Sequence, residues 1–176
     1  MGSLGHPIPG VEMKVVDERG NESAIGEVGE IIIKGSNVMK GYINRPRLTS
    51  EVLRDGWFYT GDLGKMDING FFYLVDRKNE RIIKGGFSIY PTEVEGVLYN
   101  HPDVAEVAVI GIPDDVMGEE VKACVVLKEG ATVTTEQLSD YCKERMAMYK
   151  VPKFIRFYKD LPRTSTGRIN RDELKL

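Results

Sequence analysis

Cysteine and histidine are scarce in this sequence, with two of each in 176 residues. Cys124 and Cys142 form no C-x-x-C pair, and His6 and His101 each sit beside a proline in loop-like sequence. A zinc module and a disulfide scaffold do not fit such a chain, and buried free thiols are the default expectation. No metal ligands are assigned within it. H-E-x-x-H and G-x-S-x-G are absent, and two loop histidines offer no Ser/His/Asp triad. Long apolar runs are missing too. Stretches such as Val107 to Ile110 are far too short to span a bilayer. The first residues, Met1-Gly2-Ser3-Leu4-Gly5-His6-Pro7, lack an apolar signal core, so a soluble cytoplasmic protein is expected. Excess positive charge is lacking, with 24 Lys and Arg against 27 Asp and Glu. That balance and the scattered aromatics argue against a nucleic-acid-binding module.

What is present suffices for a core, since 41% of residues are apolar and 29% charged. Charge is unevenly spread. Residues 1–76 hold 8 Lys and Arg against 11 Asp and Glu, whereas Lys143 to Lys175 holds 10 against 4. A basic C-terminal stretch is either a solvated surface or a cover over an anionic small molecule such as a nucleotide.

Residues 1–76 read as strands and turns. Val11 to Val16 and Val28 to Lys34 are strand-like, and a short helix is expected from Thr49 to Leu53 after the Asn44-Arg45-Pro46 break. Trp57 to Thr60 is β-prone, and Asn69-Gly70 predicts a hairpin with Phe71 to Val75 as its second arm. Beyond Asp76 the pattern mixes. Ile82-Ile83-Lys84 and Phe87 to Tyr90 flank Gly85-Gly86, and Pro91 opens a helix whose inner face is read as Val94, Val97 and Leu98. Glu93 and Glu95 then favour its positive N-terminus. Strands follow at Val104 to Ile112 and Val121 to Leu127. Thr134-Thr135-Glu136-Gln137 is a capping box before a helix carrying Leu138, Tyr141, Cys142, Arg145 and Met146. Phe154 to Tyr158 is the last strand, and Asn170 to Leu174 a final helical turn. The fold class is therefore α+β: a strand-rich part, then a small α+β part with helices on one sheet face. The break falls near Arg77 to Glu80.

Four short segments could carry chemistry. Tyr59-Thr60-Gly61-Asp62-Leu63 places a carboxylate beside a glycine that permits close ligand approach, although taken alone the pentapeptide is better read as an ordinary turn aspartate after a strand. In Asp76-Arg77 the guanidinium could reach a sugar or phosphate oxygen, or simply pair with a neighbouring carboxylate. Lys84-Gly85-Gly86 lacks the phosphate-cradling loop spacing and fits a hairpin turn. Pro162-Arg163-Thr164-Ser165-Thr166-Gly167-Arg168 is a hydroxyl-rich loop with two cations, either a polar tail or a loop that delivers charge.

Their order is more informative than any one of them. Gly5-His6-Pro7-Ile8-Pro9-Gly10, Gly26-Glu27-Val28-Gly29-Glu30-Ile31 and Met39-Lys40-Gly41-Tyr42 come first. Asp55-Gly56-Trp57-Phe58-Tyr59-Thr60-Gly61-Asp62 and Asp76-Arg77-Lys78-Asn79-Glu80 follow. Gly85-Gly86-Phe87-Ser88-Ile89-Tyr90-Pro91-Thr92-Glu93-Val94-Glu95, Tyr149-Lys150-Val151-Pro152 and Leu161 to Arg168 complete the series. Over essentially its whole length the chain resembles the C-terminal part of the adenylate-forming superfamily, which comprises acyl- and aryl-CoA synthetases, luciferases and peptide-synthetase adenylation domains. The Gly-Gly-Phe-Ser-Ile-Tyr-Pro form is most similar to the acid–CoA ligases.

The resemblance implies a two-step reaction. A carboxylic acid attacks the α-phosphate of ATP to give an acyl-adenylate and pyrophosphate, and the thiol of coenzyme A then displaces AMP. It implies that residues 1–78 are the distorted β-barrel-like C-terminal subdomain of the large domain, and that 79–176 are a mobile lid that turns between two poses. Asp62 would bind the ribose hydroxyls, and Arg77 would assist at ribose or phosphate. Asn79 would be the hinge, where relatives usually carry Asp or Lys. Gly85, Gly86 and Phe87 would lie along the pantetheine tunnel. Arg168 stands where the family carries its catalytic lysine. An N-terminal portion with the phosphate loop, the acid pocket and a Thr-Glu motif that helps hold Mg²⁺ would lie outside this chain. The chain would then be an incomplete fragment, half of a split enzyme, or a non-catalytic binding or regulatory module that keeps the fold.

Overall fold

The computed structural model describes Gly2 to Lys175. The chain forms two compact units, the first ending at Asn79 and the second beginning at Glu80.

The first unit is built on β1 (Val11–Val16), β2 (Gly29–Gly35), α1 (Pro46–Val52), β3 (Leu53–Arg54), β4 (Trp57–Met66) and β5 (Phe72–Arg77). Its sheet runs β1-β2-β4, with β3 and β5 both paired to β4, all antiparallel. Register shifts between Glu30 and Ile32, and between Leu63 and Gly64, curl the sheet into a half-barrel, because an extra residue on one strand bends it. The helix begins at Pro46 rather than Thr49, since proline has no N–H to lose in a first turn, and Leu53 leaves it to pair with Phe58. β4 does not stop at Thr60 but continues through Gly61 and Asp62, so Asp62 lies within a strand rather than in a turn after one.

The second unit contains β6 (Ile82–Lys84), β7 (Phe87–Ile89), α2 (Pro91–Tyr99), β8 (Val104–Asp114), β9 (Gly118–Leu127), α3 (Thr135–Lys143), a 3₁₀ turn at Met148–Lys150, β10 (Phe154–Tyr158) and α4 (Arg171–Leu174). β9 is its centre. It pairs antiparallel with β8, antiparallel with β6 at Lys84–Gly118, and parallel with β10. The tip of the β8–β9 hairpin is tied by Asp114, whose carboxylate accepts from the Met117 and Val116 amides and from Lys153. Those bonds pull its pKa down to about 2.

Helices α2 and α3 share one sheet face, as the strand–helix order indicates, and the C-terminal segment covers the other. Val107, Val109, Val121, Ala123 and Val125 pack toward Val94 and Leu98 of α2 and Leu138 and Cys142 of α3. Ala108, Ile110 and Cys124 point to the other face, where Leu161 and Leu174 of the C-terminal segment cover them. Strands buried on both faces read as continuous apolar runs rather than as alternation, as Val107 to Ile110 does. Two further corrections concern helix faces. Val97 is only half-buried, while Glu95 is buried. Arg145 and Met146 lie beyond α3, which ends at Lys143.

The capping box forms as the sequence indicates. The Thr134 hydroxyl accepts from the Gln137 amide at 3.2 Å, and the Gln137 side chain accepts from the Thr134 amide at 2.8 Å. Replacing Thr134 by Ala is expected to lower the stability of the second unit by about 1 kcal/mol in urea titration, with Thr134→Ser nearly neutral. Both cysteines are buried and unpaired, and burial pushes the Cys142 thiol up to about 11.

Candidate functional site

In the first unit, β4 and β5 place Asp62 directly opposite Arg77. Opposed residues of an antiparallel pair share a face, so the side chains meet across the ladder. Arg77 Nε lies 3.1 Å from Asp62 Oδ1. That oxygen is buried and accepts no well-aligned hydrogen bond, so the carboxylate retains unused acceptor capacity. Its approach is set by the preceding turn of chain. The Thr60 hydroxyl donates to Ile31 O at 2.7 Å and accepts from the Asp62 amide at 3.0 Å. Gly61 has φ +74°, which a side chain would resist, although nothing occupies the space a Cβ would take.

Glu30, a buried carboxylate, braces this segment. Its Oε1 accepts from the Gly61 amide at 3.0 Å, and its Oε2 from Lys78 Nζ at 2.7 Å. The Lys78 amide donates to Gly61 O at 2.8 Å. Thr60, Gly61, Arg77, Lys78 and Asn79 line a shallow cleft of about 390 Å³. The arrangement offers an acceptor suited to hydroxyls and a half-exposed guanidinium suited to an anionic oxygen. Sequence reasoning named Asp62, Arg77 and Asn79. It missed Glu30 and Lys78, whose only signal was a buried-strand glutamate and a lysine at a strand end.

In the second unit, Gly85 and Gly86 turn β6 into β7 with φ of +55° and +83°. A Cβ on Gly85 would lie 2.6 Å from the Met117 methyl, and its amide donates to Met117 O at 2.8 Å. Phe87 is exposed and stacks on Tyr149, with ring centres 4.8 Å apart. Next to the turn, Lys84 Nζ sits 2.7 Å from the buried Glu120. Thus Gly85, Gly86 and Phe87 do come together, backed by Met117 and Tyr149, which the sequence did not indicate.

Arg168 sits on a closed hairpin, not on a polar tail. The Thr164 amide donates to Arg168 O at 2.7 Å, Arg163 bridges to Ile169, and Arg163 Nη2 meets Glu106 Oε1 at 2.6 Å. The Arg168 side chain is exposed. Among the described residues there is no group of three or more His, Cys, Asp or Glu that could hold a metal ion. No helix among them is long and apolar enough to cross a membrane.

Comparison with known proteins agrees with the ordered motifs. Residues 1–43 match the family model of AMP-binding enzymes, and residues 93–168 match that of the AMP-binding enzyme C-terminal domain. A long-chain-fatty-acid–CoA ligase of Bacillus subtilis is 52% identical over 98% of this chain and 31% of its own length. A 2-succinylbenzoate–CoA ligase of Geobacillus kaustophilus is 45% identical over 99% of this chain and 36% of its own. Among solved structures, ATP-bound MatB of Rhodopseudomonas palustris superimposes with a TM-score of 0.93 at 41% identity. It is covered over 35% of its chain, and this chain over 99%. The Bacillus subtilis o-succinylbenzoate CoA synthetase, in complex with its acyl-adenylate, gives 0.92 at 43%, covering the same shares. The chain spans about a third of the length of the curated relatives it matches. Two family models on the expected segments and relatives aligned along almost every residue leave one assignment: the chain belongs to the adenylate-forming AMP-binding enzymes and matches their C-terminal part.

Proposed function

We propose that this chain is the nucleotide-gripping and lid portion of an AMP-forming acid–CoA ligase. In the first half-reaction a carboxylate oxygen bonds to the α-phosphorus of ATP and the bond to pyrophosphate breaks. In the second, the sulfur of coenzyme A bonds to the acyl carbon and AMP leaves. Residues 1–78 supply the ribose contacts. Asp62 accepts from the two ribose hydroxyls, and Arg77 orients that carboxylate while donating to ribose or phosphate oxygens. Residues 79–176 act as the lid, turning about Asn79 so that one rigid body serves both steps. In one pose the Arg168 hairpin brings a cation toward the α-phosphate. In the other, the Gly85-Gly86-Phe87 turn lines the passage for the pantetheine arm. There the absence of two side chains leaves room for backbone to approach the thiol chain.

The observation that carries this reading is the Asp62–Arg77 pair, in which Arg77 lines an open cleft and the Asp62 carboxylate keeps one oxygen without an aligned donor. The named relatives act on different acids, a long-chain fatty acid and 2-succinylbenzoate, yet share this third of the chain. That supports a role in the nucleotide and thioester steps they have in common rather than in the choice of acid.

Titrating AMP into the isotopically labelled chain tests the ribose grip. Amide shifts are expected to concentrate between Thr60 and Lys78. Asp62→Asn should weaken AMP binding at least about tenfold, because a hydrogen bond to a charged acceptor is worth roughly 1.5–3 kcal/mol. Binding that is indifferent to Asp62→Asn would remove the reading and favour a stand-alone module of other function.

A further inference from the structure

β10 is an edge of the second unit's sheet, paired with β9 on one side only. Among the described residues no strand, loop or side chain bonds to its other side. At its start the Lys153 amide points to β9 and donates to Val121 O at 3.0 Å. Backbone polar groups alternate sides along a strand, so the N–H and C=O groups of Phe154, Arg156 and Tyr158 face outward. Side chains alternate between the faces of the sheet in the same way. Ile155 packs toward α2 and α3, and Tyr158 toward the C-terminal segment. Phe157 therefore shares the α3 face, and Arg156 the opposite one. Phe154 and Phe157 are 45% and 38% exposed. Beside the edge lies a cleft of about 500 Å³, with Glu136, Ser139 and Asp140 of α3 on one side and Lys153, Phe154 and Ile155 on the other. Residues 153–159 hold the cations Lys153, Arg156 and Lys159 and no acid. Lys153 pairs with Asp114 and Glu120, whereas Arg156 forms no ion pair among the described residues.

We propose that β10 and α3 form a groove that takes an extended acidic segment of another protein by strand addition. The open edge supplies the backbone bonds, and alternate side chains supply the choice of partner. Apolar residues of the segment face Phe157 and the α3 cleft, and acidic residues face the other way, beside Arg156. Charge selects this occupant over a second copy of the chain. Two β10 edges set side by side bring cation against cation, and like charges on neighbouring strands repel. Cations on an edge are a guard against self-association, yet they leave it open to a strand of opposite charge. The α3 wall fixes the alternation. Glu136 and Asp140 repel acids on that face, although Lys143 Nζ lies 2.7 Å from Asp140 and offsets part of its charge. The proposal concerns the second unit alone and does not rest on the nucleotide reading.

The probe is a blocked hexapeptide of alternating aspartate and valine, titrated into the isotopically labelled chain. Saturable amide shifts are expected at Phe154, Arg156 and Tyr158 and along α3, with slowed hydrogen exchange at the three outward amides. Arg156→Glu should weaken binding at least about tenfold, because a repulsive contact replaces an attractive one. The Arg156 side chain is exposed, so Tm should hold within about 3 °C and AMP binding should be unaltered. A second comparison leaves the protein untouched. Methylating the peptide amides that face β10 removes bonds to the edge, whereas methylating those that face away removes none. The two methylated peptides should differ at least about tenfold in Kd. The proposal is overturned if they bind alike, or if a lysine–valine peptide binds as well as the aspartate one. Sedimentation that reveals a dimer altered by Arg156→Glu would give the edge to a second copy and overturn it too. So would loss of peptide binding when the chain is joined to the N-terminal two-thirds of the Bacillus subtilis relative, the edge then being covered within that enzyme. AMP binding indifferent to Asp62→Asn would end the ligase reading without altering any of these outcomes.

Discussion

Changing Arg168 to Lys is expected to raise pyrophosphate release at least about tenfold when this chain is joined to the N-terminal two-thirds of the Bacillus subtilis relative. The argument is one of charge shape. In adenylation, negative charge gathers on a small region where the acid carboxylate approaches the α-phosphate. A lysine ammonium is a compact charge with three rotatable donors. A guanidinium spreads its charge over a planar fork that suits two parallel acceptors. On the proposed ligase reading, Arg168 therefore brings the right sign to the wrong geometry. One misplaced donor in a preorganised site costs about 10²–10³ in rate, so a partial recovery of tenfold or more is the expected scale. Arg168→Ala should fall about a further hundredfold below the parent, because the remaining charge is lost as well. If preformed acyl-adenylate and coenzyme A are supplied instead, thioester formation should change less than about twofold in all three proteins, since on the proposed reading the glycine turn, not Arg168, serves that step. Pyrophosphate release that is equal in the Arg and Lys proteins would sink this account. A change of equal size in both half-reactions would show that the residue supports folding rather than the first step.

What the sequence made legible follows the range of the interactions involved. Features settled within a few residues were readable: the Asn69-Gly70 turn, with Gly70 at φ +81°, the Thr134–Gln137 capping box, and the Pro91 helix start. The strands β1 and β10 fall where composition placed them. Asp62 and Arg77 could be named because the ordered motifs resemble a family, but not because 15 residues of spacing revealed that they face each other. That depends on the register of β4 against β5, including a bulge at Leu63 and Gly64 that periodicity does not encode. Glu30 went unread for the same reason, its partners Gly61 and Lys78 lying 31 and 48 residues away. The burial of α2 was misjudged for a different reason. Val97 fitted the apolar repeat, and Glu95 fitted the preference of acids for a helix N-terminus. Tertiary structure overrode both, because a cation and a β8 amide were waiting at the Glu95 position. The second face of the second unit's sheet was signalled by the unbroken run Val107 to Ile110, yet the segment that covers it comes more than 50 residues later.

Glu95 also carries the largest expected effect on stability. Its carboxylate is nearly buried, as is most of the Arg171 side chain, and one oxygen serves both Arg171 and the Val109 amide. Such a pair contributes little net stability compared with apolar side chains of the same volume, because both charges were taken out of water. Removing one partner is another matter, since it strands the other. Glu95→Ala leaves a buried guanidinium with only the 3.3 Å approach to Glu80, and an amide in the middle of a strand without its acceptor. The second unit should lose about 3–5 kcal/mol. For a unit of this size each kcal/mol corresponds to roughly 4–8 °C in Tm. Glu95→Gln keeps an acceptor oxygen for the amide and should lose less than half as much. The tryptophan at Trp57, the only one in the chain and placed in the first unit, provides the control. Its fluorescence transition in urea should stay put while the circular-dichroism transition of the second unit moves. The decisive comparison is the double replacement Glu95→Leu with Arg171→Met. Removing both charges should recover most of the stability lost in Glu95→Ala, yet leave Glu80 without its anchor. The fold would then be restored while order at Glu80 stays reduced. If the double variant is as unstable as Glu95→Ala, the loss comes from the strand amide and packing rather than from a stranded charge.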